Sequence, residues 1–174
     1  MKNFSFFSSF CLGILSFNPV FANEADIVLG FYMPPEKKSI VEIFKCEEKY
    51  CGRTVCLKNN VYLETEKDKG VPGTPYLDHN NEDPKLRTRP SLGKVNLMRF
   101  EYIGEGVYKN GRVYNPHDGK TYCGRLTVLE GGKRLDLKGT LCSVTFLGKT
   151  MTWSKVENLS EVTSSWYCTF KKKK

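Results

Sequence analysis

Beyond residue 22 the chain is a succession of short apolar-rich runs separated by turn-forming residues. The runs are "IVLGFY" (27–32), "SIVEIFKC" (39–46), "GRTVCLK" (52–58), "KVNLMRFEYI" (94–103), "RVYNP" (112–116), "KTYCGRLTVLE" (120–130), "KRLDLKGTL" (133–141) and "KTMTWSKV" (149–156), with "EVTSSWYCTF" (161–170) as a further candidate. Several alternate with period two. Leu135 and Leu137 oppose Arg134, Asp136 and Lys138; Met151 and Trp153 oppose Thr150, Thr152 and Ser154; Tyr122, Leu126 and Val128 share one side. One wet face and one apolar face per strand is the antiparallel pattern. No helical period runs beyond two turns.

The breaks suit hairpins. Asn110-Gly111 and Gly131-Gly132 permit the positive φ of tight turns, and Pro116 with Asp118-Gly119 closes another. Eight or nine strands joined in sequence order predict an all-β, up-and-down antiparallel barrel, because closure removes exposed edges. A two-sheet sandwich is the alternative. Residues 59–93 interrupt the rhythm with Pro72, Pro75, Pro84 and Pro90 and predict a long, ordered flap over one barrel mouth, between the early and middle strands.

Composition adds the compartment. Lys2, the apolar run from Phe4 to Phe17 and the exit Val20-Phe21-Ala22 read as a secretory signal peptide over residues 1–22. Bulky Phe10 before Cys11 argues against a lipid anchor there. The expected organisation is therefore a leader, a barrel domain over 23–157, and a C-terminal extension over 158–174 ending in lysines. Six of the seven cysteines then remain: Cys46, Cys51, Cys56, Cys123, Cys142 and Cys168. In an exported chain, periplasmic or secreted, they imply disulfides. Cys46 and Cys51 flank a four-residue loop between apolar runs and should pair; Cys142 with Cys168 is the guess for the C-terminal staple. Of the formal charge of +8, one unit belongs to Lys2 and four to Lys171–Lys174, so the body carries +3. That balance, without a basic face interleaved with aromatics, does not imply nucleic acid, and no later segment is long and apolar enough to span a membrane.

Candidate chemistry centres on "YNPHDGKTYCG" (114–124). Asp118, Lys120 and Tyr122 could form an acid–base set, but an Asp in a Pro-x-Asp-Gly turn ordinarily bonds its own backbone. His79 and His117 lie in no recognisable metal or hydrolase motif. The expectation is a non-enzymatic protein without cofactor or metal.

The ordered string Cys46-x4-Cys51-Gly52, Asn81-Glu82-Asp83-Pro84, Arg87-x-Arg89-Pro90, Gly93, Gly111-x-x-Tyr114-Asn115-Pro116-x-Asp118-Gly119-Lys120-Thr121-Tyr122 and Thr152-Trp153 resembles a family of small exported bacterial proteins known mainly as a domain of unknown function. The resemblance spans roughly residues 28 to 156 and implies a lipocalin-like (calycin) barrel. Glu82 and Ser91 depart from it, where the family usually has Pro and Leu. Typical lipocalins carry Gly-x-Trp on the first strand and a late basic residue stacked on the indole; Gly30-Phe31-Tyr32 and Lys155 are the counterparts here. Eight strands leave room for one small ligand. The expected function is a carrier or scavenger of a small hydrophobic or amphipathic molecule. Tyr114, Tyr122, Leu126, Leu135, Leu137, Met151 and Trp153 would line the cavity, and Arg87 and Arg89 would offer guanidinium groups to an anionic head. The alternative is an interaction module that engages a surface or another protein.

Overall fold

A computed structural model describes residues 23–162 and 164–170, apart from the side chains of Thr145 and Val162. The proposed leader and the terminal lysines lie outside the described residues. The strands are β1 (Gly30–Met33), β2 (Ser39–Cys46), β3 (Lys49–Leu57), β4 (Val95–Tyr102), β5 (Val107–Asn115), β6 (Lys120–Leu129), β7 (Arg134–Leu141), β8 (Val144–Lys155) and β9 (Tyr167–Cys168), with one short helix, α1 (Leu159–Val162). Every pairing is antiparallel. Their order is β2-β1-β8-β7-β6-β5-β4-β3, and β2 pairs with β3 to close an eight-stranded barrel. The ninth strand adds to β3 beyond the stretch that β4 occupies, opposing Cys56 and Leu57.

Alternation along the strands builds the interior. On β7, Leu135 and Leu137 are buried while Arg134 is exposed and Asp136 and Lys138 are half-buried. They face Trp153 and Met151 of β8 and, through Leu137, Leu126 of β6. Tyr32, Tyr50, Phe100 and Tyr108 complete the core from the other strands. Gly111 and Gly124 stand side by side in the β5–β6 register. A Cβ on either would overlap the Phe100 ring, so the ring occupies the space their missing side chains leave.

One end is closed by the N-terminal segment. Asn23 caps a 310 turn over Glu24–Val28 by accepting from the Ala25 N–H at 3.2 Å, and Ala25 and Val28 are buried against the core. Tyr108 donates to the Ala25 carbonyl at 2.7 Å, and Tyr50 to Asp26 at 2.8 Å. The flap (59–93) leaves from the other end.

Two sequence expectations change. Asn110-Gly111 makes no hairpin; it lies inside β5, where the register with β6 shifts and Asn110 takes φ 59°. A bulge needs the same positive φ as a tight turn, so the dipeptide signals both. The β4–β5 reversal falls instead at Gly104-Glu105-Gly106, where all three residues have positive φ. Among the cysteines, Cys46–Cys51 pairs as expected, but Cys168 joins Cys56 and Cys142 joins Cys123. β9 lies on β3, so Cys168 directly opposes Cys56.

Candidate functional site

Two places gather the residues singled out in the sequence. The first is the barrel interior. Leu126, Leu135, Leu137 and Trp153 are buried there, and Met151 packs against them. Tyr122 is half-buried and donates its hydroxyl to Asp118 at 2.6 Å. β1 contributes the feature that the Gly-x-Tyr pattern anticipated. Tyr32 opposes Lys155 across the β1–β8 register, and the ammonium lies 5.8 Å from the centre of the Tyr32 ring. Gly30 lets the lysine chain pass: its φ is 130°, and a Cβ would come 3.1 Å from the Lys155 Cε. A cation over the tyrosine face is favourable.

The Tyr32 side chain is fully buried, and burial pushes its hydroxyl up to about 12. Neither that hydroxyl nor the Trp153 indole Nε1 has a hydrogen-bond partner among the described residues. Trp153 sits two residues before Lys155, so the two groups come from diagonal positions on adjoining strands. Two buried donors without acceptors are unusual, because an unmade buried hydrogen bond costs about 1–3 kcal/mol.

The second place is the flap clasp, which holds Arg87, Arg89 and Tyr114. Val113 packs on the core, so strand alternation turns Tyr114 to the outer face. There the Tyr114 hydroxyl donates to Asp78 at 2.6 Å. The same carboxylate accepts from Lys94 Nζ at 2.6 Å, Arg89 Nε at 2.8 Å and Asn81 Nδ2 at 2.9 Å. Asp78 and Lys94 are almost wholly buried. Burial by itself would raise the Asp78 carboxyl, but these four donors outweigh it and hold the group at about 2. Both oxygens are thereby taken, and the carboxylate ties flap residues Asn81 and Arg89 to Lys94 and to Tyr114 of β5.

Neighbouring flap residues follow the same plan. Arg87 Nε donates to the Asn81 carbonyl at 2.7 Å. Asn80 donates to the Pro116 and His117 carbonyls at 3.1 and 3.0 Å, reaching the β5–β6 turn. Gly119 in that turn has φ 72°, and a side chain there would collide with the Asn80 backbone. Asp118 accepts from the Lys120 N–H and the Tyr122 hydroxyl at 3.0 and 2.6 Å. The flap thus meets the stretch at residues 114–119, while Asp118, Lys120 and Tyr122 bond among themselves. Sequence reading missed Asp78 and Lys94 as a pair, since 16 residues separate them and nothing local marks either one. Among the described residues no group of three His, Cys, Asp or Glu side chains is placed to hold a metal ion.

A closed eight-stranded meander, a Gly-x-Tyr first strand and a late lysine over the aromatic ring define a lipocalin-like barrel. The chain belongs to the bacterial family described as "Uncharacterized protein conserved in bacteria (DUF2147)", which matches residues 30–155. A solved structure similar to it is a protein from the human pathogen Helicobacter pylori described as belonging to the lipocalin family. It is 28% identical with a TM-score of 0.59, over 79% of this chain and 97% of that one. No match was found among curated proteins.

Proposed function

We propose that this protein is an exported lipocalin-type binding protein that encloses one small, mostly apolar molecule carrying a hydrogen-bond acceptor. The unpartnered Tyr32 hydroxyl and Trp153 indole N–H carry the reading: an acceptor placed between them would satisfy both donors in a water-poor interior. The fold supports it as well, since an eight-stranded barrel is wide enough for a single small ligand. Phe100 narrows the tube at Gly111 and Gly124, which favours a compact ligand over a long-chain one. Arg87 and Arg89 are engaged in the clasp, so the acceptor on the ligand need not be anionic. The flap end is the route of entry in this reading, because the Glu24–Val28 turn blocks the other. Export is consistent with three disulfides, which persist in oxidising compartments. The reading assigns no catalytic step.

Native mass spectrometry of protein purified from its own host, followed by displacement titration with small amphiphiles, tests the proposal. Trp153 fluorescence serves as the reporter in a Trp166→Phe background. A bound mass that is displaced with a change in Trp153 emission supports it. Absence of any co-purifying molecule, together with no fluorescence response to any amphiphile, overturns it.

A further inference from the structure

The outer wall of β5, β6 and β7 carries a groove of about 550 Å3 lined by Lys109, Arg112, Arg125 and Lys138. Backbone at Gly111 and Gly124 also lines it, and no Asp or Glu does. Several cations elsewhere on the barrel pair with carboxylates: Lys45 with Asp26, Lys49 with Glu101, Arg53 with Glu42, Arg134 with Glu130. Lys109, Arg125 and Lys138 have no such partner among the described residues, and Arg112 points its guanidinium at the Cys123–Cys142 disulfide. Arg125 and Lys138 stand directly opposite one another in the β6–β7 register. Like charges in that position destabilise a sheet.

The same disulfide joins this wall to the β7–β8 tip. There the register jumps from Thr140↔Gly148 to Leu141↔Val144, so β8 carries extra residues that bulge outward. Phe146 is 78% exposed, Leu147 60% and Leu141 57%. Uncompensated cations beside an exposed apolar tip match an anionic headgroup layer over hydrocarbon.

We propose that this wall and tip form a docking site for an anionic lipid surface, with the cations at the phosphates and Phe146 and Leu147 entering the acyl boundary. The test is co-sedimentation of the disulfide-bonded protein with vesicles of phosphatidylcholine containing phosphatidylglycerol, against vesicles of phosphatidylcholine alone. Binding to the anionic vesicles should weaken as salt is raised, because screening shortens the reach of the charges. The pair Arg125→Gln/Lys138→Gln should lose at least about tenfold in affinity, and Phe146→Ser/Leu147→Ser a similar factor. All four side chains point outward, so unchanged near-ultraviolet dichroism will show that the variants are folded. Equal binding to neutral vesicles, or undiminished binding by either variant pair, overturns the proposal. So does binding of soluble glycerophosphate or inorganic phosphate without vesicle binding, which would make the groove a small-anion site.

Discussion

At the scale of single residues, Asp78 shows how a carboxylate that looks functional can be structural. It is buried, charged and saturated by four donors, two of them cationic. Removing one member of such a set leaves the others uncompensated, so Asp78→Asn should cost about 3–5 kcal/mol, read from denaturant unfolding. The pH dependence follows from the depressed carboxyl. Held at about 2 in the folded protein against an ordinary 3.8, it contributes stability that is complete above about pH 4 and drains away as the pH falls toward 2. Thermal melts from pH 5 to pH 2 should therefore fall more steeply for the native protein than for Asp78→Asn. Parallel curves would show that Asp78 contributes no such linkage. Tyr32 behaves in the opposite sense. Its hydroxyl lacks a partner among the described residues, so Tyr32→Phe should leave the ligand-free protein as stable or slightly more stable, while ligand affinity drops about five- to tenfold. A large destabilisation would place the hydroxyl in a structural role instead. The sequence displayed both residues without their meaning, because a partner 16 residues away or an absent partner is not written in local pattern.

Among elements, what could be read beforehand was what depends on short-range alternation. The leucine positions of β7 and the Met151/Trp153 positions of β8 face inward as their period of two required. What could not be read were features that local chemistry leaves degenerate. Asn110-Gly111 makes a bulge, and Cys168 opposes Cys56 only because the C-terminal segment returns to the edge of β3. That return buries a second, outer cluster of Ile40, Val55 and Cys56, with Leu159 and Trp166 packed on it. The Cys56–Cys168 bridge closes a loop with a sequence separation of 112. A double change to Ser should cost about 2–4 kcal/mol, as loops of this size restrict the unfolded chain strongly. It should also make the segment after Lys155 the first site of limited proteolysis. Unaltered protease resistance would mean that β9 and α1 hold the segment without the bridge.

The whole molecule is a closed barrel whose interior is packed by buried side chains from its strands and N-terminal turn, with Phe100 filling the space beside Gly111 and Gly124 and a flap clasped at the rim. Phe100 fills space that Gly111 and Gly124 leave open, so tube width depends on a glycine–phenylalanine match spread over three strands. Enlarging a glycine and trimming the ring should therefore have opposite effects on internal volume. Gly111→Ala forces a Cβ into the ring and should cost about 1–3 kcal/mol through overpacking; the smaller side chain of Phe100→Leu should recover part of that in the double variant. Phe100→Ala alone should cost about 3–5 kcal/mol, because a buried aromatic side chain is lost and a cavity remains. If that cavity persists, it is an apolar chamber inside the core cluster, beside Gly111 and Gly124, and such chambers take up small aromatic molecules. Saturating benzene or indole should then raise the melting temperature of Phe100→Ala and leave that of the native protein nearly unchanged, since only a folded state that binds ligand is stabilised. If neither protein responds, the walls have collapsed onto the vacated space. The barrel would then be held open by its side chains, and any natural ligand would have to bind beside the Phe100 ring, between it and the Tyr32–Trp153 pair.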